Sequence, residues 1–192
     1  MVEYFQVLRK PSFGYWAKRM NNGTFQRTPN GTAEIKRNML NNECGVVMDR
    51  SEQAIAKFVG GYNCAQAVLF SFCDDLNLDK DKALKIACGF GAGMGRKEEV
   101  CGAVSGGIMV ISAKYGRGEN EDRKVTDNAY IKIRELMNQF SQRHGTYICR
   151  QLLNGCELTT EEGQKIFKEN DYLNKVCKQC VKSVVEILET II

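Results

Sequence analysis

The chain has 192 residues, enough for one domain with its own core and short of two. Its longest nearly charge-free apolar run, Val100 to Ala113, falls below the roughly 18 to 20 residues of a membrane helix, and the N-terminus offers no apolar stretch ending in a cleavage site, so neither membrane insertion nor export is expected and the expected location is cytoplasmic. The formal charge of +4 is local: residues 1–48 carry seven Lys/Arg against three Asp/Glu and residues 49–192 carry 20 against 20, so the body is neutral and no nucleic-acid partner is expected for it.

Residues 1–48 contain Pro11, Pro29, Trp16 and the turn-rich NNGTFQRTPNGT, whereas no proline follows Met48. This segment reads as a loosely ordered extension, or as an over-long gene start with Met48 the initiator; a basic arm touching nucleic acid or lipid and a short structured addition are the alternatives. From residue 49 to 192 the pattern is helical throughout. Asp49 with Glu52 has capping-box spacing ahead of Ala54, Ile55, Phe58 and Val59, and Gly60 and Gly61 end that helix. Asn63 caps a second, with Ala65, Val68, Leu69, Phe72 and Leu76 at helical intervals. Asp79 to Cys88 forms a third, closed by GFGAGMG. The fourth, EEVCGAVSGGIMVISAKYG, is apolar all round, as the buried centre of a bundle is. A fifth carries Val125, Ala129, Ile133, Leu136 and Phe140 on one stripe and stops at His144 and Gly145, the histidine placed to interact with the helix dipole. Thr146 is placed to cap a short helix around CRQLL, Thr159 with Glu162 to box another, and Leu173, Cys177, Cys180, Val184, Ile187 and Ile191 line one face of the last. The fold class is all-α: a compact multi-helix bundle around a buried Gly/Ala-rich helix.

Nine cysteines without an export signal are not a disulfide framework; in a reducing compartment they are buried thiols, metal ligands or redox groups. Cys64, Cys101 and Cys149 each fall at the start of a helix, where unpaired N–H groups favour a thiolate. Small buried packing residues would fit the same positions. Cys177 and Cys180 form CKQC on one helix face, a weak signal alone, since the redox reading needs a βαβ setting and the zinc reading a second pair. The glycines of GFGAGMGR, with Gly91, Gly93 and Arg96 as contacts, could cradle an anion; no strand precedes them, so a tight turn is the competing reading. Gly102, Gly106 and Ala113 make a face that another helix or a partner chain could approach closely, from which a homodimer is expected.

The residues GYNCAQAV, FGAGMGRKEEVCGAVSGG, CRQLLNGCELTTEEG and CKQCVKSVVEIL, in this order over residues 49 to 192, resemble the C_GCAxxG_C_C family of redox-active proteins. This chain has CGAVSG where the family name has GCAxxG, a form its members commonly show. Carried over position by position, the resemblance implies that the four signature cysteines are Cys64, Cys101, Cys149 and Cys177. Cys44, Cys73, Cys88 and Cys180 stand outside the signature, and Cys156 is a frequent companion; between Cys177 and Cys180, the register of VKSVVEIL favours Cys177. The resemblance further implies an all-helical fold, a redox role without a known substrate, and genes near transporter genes, hence an association with a transport system. Three functions follow as expectations: thiol–disulfide exchange with an unknown redox partner, with Cys101 or Cys64 as nucleophile; an iron–sulfur cluster or another soft metal held by the same four cysteines; and a helical interaction module.

Overall fold

A computed structural model describes residues 48–192. The expectations for the N-terminal segment and for Cys44 lie outside the described residues. Helices follow one another as α1 (Arg50–Val59), α2 (Cys64–Ser71), α3 (Lys80–Ala87), the single turn α4 (Gly91–Met94), α5 (Gly102–Tyr115), α6 (Lys124–His144), the short α7 (Cys149–Leu152), α8 (Glu161–Glu169) and α9 (Lys178–Ile191). A 3-10 turn, Cys88–Phe90, precedes α4, and a π turn, Leu173–Cys177, leads into α9. The only extended pairing among the described residues is one antiparallel bridge, Val100 with Ile148. The fold is all-α.

Capping chemistry sets most of these boundaries. Asp49 accepts from the Glu52 N–H at 2.7 Å while the Glu52 carboxylate takes the Asp49 N–H, and Asn63 and Gln66 form the same reciprocal pair ahead of α2. Asp79 caps α3 through the Lys82 N–H, and Gly145, at φ +80°, closes α6. Two expected caps differ. The cap of α8 is Thr160, whose hydroxyl accepts from the Gly163 N–H at 3.0 Å, one residue after the expected Thr159. Thr146 satisfies the Ile148 N–H instead of capping α7, because the bridge at Ile148 intervenes before the helix begins.

Helix α5 is the buried centre, with α2, α6 and α9 packed around it and α1 laid across α2 and α9. Its glycines decide how close the neighbours come. A Cβ on Gly106 would stand 2.7 Å from the Ala65 carbonyl oxygen of α2, and one on Gly107 would stand 2.8 Å from Leu136 of α6 and 2.9 Å from Val184 of α9. The close-approach face, expected to take another helix or a partner chain, is filled at Gly106 by α2, and Ala113, the third residue of that face, is exposed. Two apolar clusters result. The main core unites α1, α2, α5, α6 and α9; a smaller one gathers Cys149, Leu153, Cys156 and Leu158 beneath Ile166, Phe167 and Tyr172.

His144 ends α6 as expected, and its neighbours there disfavour its charged form. Burial lowers its pKa, its ring stacks on Phe140 with centroids 4.4 Å apart, and Nε2 lies 2.9 Å from the Ser183 hydroxyl. A neutral imidazole fits that setting.

Candidate functional site: a cavity walled by cysteines

A cavity of about 130 Å³, partly open to solvent, lies at the seam of the two clusters, and five thiols line it: Cys64, Cys101, Cys149, Cys177 and Cys180. Local sequence explains each position. Asn63 fixes the first turn of α2 and with it Cys64, the first helical residue. Cys101 occupies the N-cap of α5, one residue ahead of the expected first turn. Its N–H donates to the Tyr147 carbonyl at 2.8 Å, and the Cys149 N–H donates to the Glu99 carbonyl at 2.7 Å, so the short bridge holds the starts of α5 and α7 side by side. Cys177 ends the π turn and Cys180 follows on the first turn of α9, so both point toward the same space.

The glycine of the CGA triplet has a specific task. A Cβ on Gly102 would overlap the Cys64 sulfur and stand 2.8 Å from the Phe90 carbonyl oxygen. Four residues on, Gly106 admits the backbone of α2. The two glycines of CGAVSG thus let the helix bearing Cys64 lie against the helix bearing Cys101, which brings these two thiols to one cavity.

The glycine-rich segment serves the site from the other side. Ala92, Gly93, Met94, Gly95 and Arg96 all have positive φ, and the Gly95 N–H closes on the Gly91 carbonyl at 3.0 Å, which makes a single left-handed turn. This turn places Ala92 in the cavity wall, and the Ala92 N–H is directed at the Cys64 sulfur. A Cβ on Gly91 would collide with the Asn63 side chain, and one on Gly93 would stand 2.8 Å from Cys149 Cβ. Gly91 and Gly93, expected to contact an anion, are buried against these residues, and Arg96 is exposed. The turn's visible work is packing around the cysteines.

Just beyond it, the Glu98 side chain is completely buried. Its Oε1 accepts from the Leu158 N–H at 2.8 Å, its other oxygen pairs with Arg150, and its carbonyl accepts from the Arg150 N–H at 2.9 Å. Glu98 thereby binds the left-handed turn to the smaller cluster. The sequence marks it only as one of several charged residues in RKEEV.

Burial pushes the Cys64 thiol up to about 12, with charge at Cys101 acting in the same direction. Burial also raises Cys149 and Cys177, each further disfavoured by neighbouring thiolate charge, and Glu98 adds to the effect at Cys149. Cys101 goes the other way. The Cys180 thiol lies against its sulfur and stabilises negative charge there, which outweighs desolvation; the first N–H groups of α5, at Ala103 and Val104, add to the lowering. The same contact, with burial, holds Cys180 protonated. In a cavity lined by apolar side chains one thiolate raises the cost of a second, so the arrangement favours a single charge, and the N–H groups at the start of α5 favour it on Cys101.

The remaining described cysteines stand apart. Cys73 donates to the Leu69 carbonyl, Cys156 donates to the Gly163 carbonyl at 3.0 Å, and Cys88 is exposed. Cys180, which falls outside the signature, is thus part of the cavity together with Cys177. The spacing of CKQC, three residues on one helix face, was its signal. Among the described residues no group of three or more His, Cys, Asp or Glu side chains is placed to hold one metal ion. As positioned, the thiols share a cavity without forming a ligand set. Nor is any helix among the described residues long and apolar enough to cross a membrane.

A sequence model of one family, C_GCAxxG_C_C, described as "Putative redox-active protein", matches residues 62–191. No curated protein and no solved structure matches the chain. The matched segment runs from α2 to the end of α9 and carries every thiol of the cavity, and on that match the chain belongs to the C_GCAxxG_C_C family.

Proposed function

We propose that this protein carries out thiol–disulfide exchange in a reducing compartment, with Cys101 as the attacking thiolate and Cys180 as the resolving thiol. The observation that supports this most is the pairing at the cavity: one buried sulfur favoured as a thiolate, with a protonated thiol against it. Exchange requires this asymmetry, because the thiolate is the nucleophile and the second thiol must stay protonated until a leaving group can take its proton. Cys101 attacks one sulfur of a disulfide and expels a thiolate. That thiolate accepts the Cys180 proton, and the Cys180 sulfur then attacks Cys101, closing an intramolecular disulfide and releasing the second half of the substrate as thiolate. Cys64 and Cys149 remain protonated beside the pair. Cys177, the least buried of the five, is where an external dithiol reaches the cavity to reduce the enzyme again.

Trapping separates the roles. Treated with an excess of a disulfide, the Cys180→Ser protein should accumulate a mixed disulfide at Cys101, visible by mass spectrometry of the digested protein, while Cys101→Ser should form neither adduct nor internal disulfide in the cavity. If Cys101→Ser closes a cavity disulfide at the wild-type rate, the assignment fails.

A further inference from the structure

The geometry points to a small, uncharged disulfide with short alkyl arms as the substrate that reaches Cys101, an inference that rests on the thiol-exchange reading and adds its selectivity. Size sets one limit. A cavity of about 130 Å³ is close to the roughly 150 Å³ that accommodates a benzene-sized molecule, so the accessible space holds about six non-hydrogen atoms.

Charge sets the other limit. No charged side chain lines the cavity, and Asn63 is the one polar residue there that is not a thiol. Its side chain is already committed: the oxygen accepts from the Gln66 N–H at 3.0 Å and the amide nitrogen donates to the Cys88 carbonyl at 2.9 Å. The nearest cation joined to the site, Arg150, is paired with Glu98 and half exposed. A charged disulfide would bring its ions against an apolar wall with no side chain to pair them, and desolvating an unpaired ion is unfavourable. The leucines and phenylalanines of the wall, Leu152, Leu153, Leu158, Phe58 and Phe167, instead favour an alkyl arm.

The balanced reaction is R–S–S–R plus Cys101–S⁻ plus Cys180–SH giving the Cys101–Cys180 disulfide, RSH and RS⁻. The substrate is reduced by two electrons, the two cysteines are oxidised, and the Cys180 proton leaves on the first thiol released.

A matched pair of probes tests this. Cystamine is diethyl disulfide with an ammonium group on each arm, which adds charge and two non-hydrogen atoms, so both limits of the cavity act against it. Each is mixed anaerobically with the reduced full-length protein, and formation of the Cys101–Cys180 disulfide is followed by quenched mass spectrometry, a readout that ignores adducts at exposed Cys88. Rates are divided by those of the same disulfide with free 2-mercaptoethanol, which removes differences in intrinsic reactivity. The normalised rate for diethyl disulfide should exceed that for cystamine by about tenfold or more, the least that unpaired buried charge implies. Equal rates, or faster cystamine, would overturn the selectivity while leaving thiol exchange standing. Absence of a Cys101–Cys180 disulfide with both probes would overturn thiol exchange itself.

Discussion

At the scale of single residues, glycine and glutamate do the positioning that the cysteines exploit. Gly102 has no Cβ because the Cys64 sulfur occupies that space, so Gly102→Ala forces α2 and α5 apart at the point where their thiols meet. It is expected to cost about 1–3 kcal/mol in denaturant unfolding, as overpacking of a tight core does, and to slow closure of the internal disulfide by more than the stability loss explains. An unchanged melting point would show that the contact relaxes freely. Glu98 presents a different case, a buried carboxylate with two partners from the smaller cluster. Glu98→Ala leaves the buried Leu158 N–H without an acceptor, a loss of about 1–3 kcal/mol, while half-exposed Arg150 can return to water. Glu98→Gln retains an acceptor for Leu158 and should lose less. In both variants Cys149 should alkylate faster than in the parent, because the start of α7 hangs from the same segment; an unaltered alkylation rate in the alanine variant would detach Glu98 from the site.

Among the elements, two departures from regular helix determine which side chains face the cavity. The left-handed turn around α4 contains both glycines and residues that adopt positive φ at a cost, and this gives predictions of opposite sign. Met94 is exposed with φ +65°, so Met94→Gly removes an unfavourable conformation at little loss of burial and should stabilise by about 0.5 kcal/mol after the added entropy of an unfolded glycine. Gly93→Ala, at φ +66° and with backbone atoms of Glu98 and Glu99 2.7 Å from the new methyl, should destabilise by more than about 2 kcal/mol. Thermal melts of both variants check the contrast, and two shifts of the same sign would refute the account of the turn. The π turn explains a misread face. Leu173 extends the stripe of Cys177, Cys180, Val184 and Ile187 only if the last helix is regular from its start; the extra residue of the π turn rotates the earlier part, and Leu173 is exposed while Cys177 still lines the cavity with Cys180. Helix existence and order were legible because caps and periodicity are local. The left-handed turn, the π turn and the Val100–Ile148 bridge were not, since each is stabilised by partners distant in sequence. Cys64, Cys101 and Cys149 could be singled out as helix-start thiols, and the CKQC spacing put Cys180 on the face of Cys177, whereas the contact of Cys180 with Cys101 required knowing what packs across from it.

Over the whole molecule, the cavity exists because a main core and a smaller cluster meet without filling the seam, and keeping several thiols there carries a linked dependence on pH. Cys64 ionises near 9.0 in an ordinary setting and only at about 12 in the fold, and Cys149, Cys177 and Cys180 are shifted in the same direction. A group whose folded pKa lies above its unfolded value contributes stability below the unfolded pKa and loses it as pH rises toward the folded one. The unfolded chain then sheds protons that the native state retains, and each such thiol lowers unfolding free energy by about 1.4 kcal/mol per pH unit in that window. Cys101 has the opposite sign: its lowered pKa adds stability above its unfolded value and loses it on acidification through the folded one, so it offsets part of the alkaline loss without reversing it. Lysine and tyrosine also titrate at high pH, so the informative quantity is a difference between proteins. The melting temperature of the reduced protein should fall from about pH 9 upward, and Cys64→Ala, although less stable near neutrality from the lost packing, should fall less steeply over pH 9 to 11. Parallel curves for the two proteins would mean that Cys64 ionises in the native state as readily as in the unfolded chain, and would remove burial as a reason for the cluster to favour a single charge.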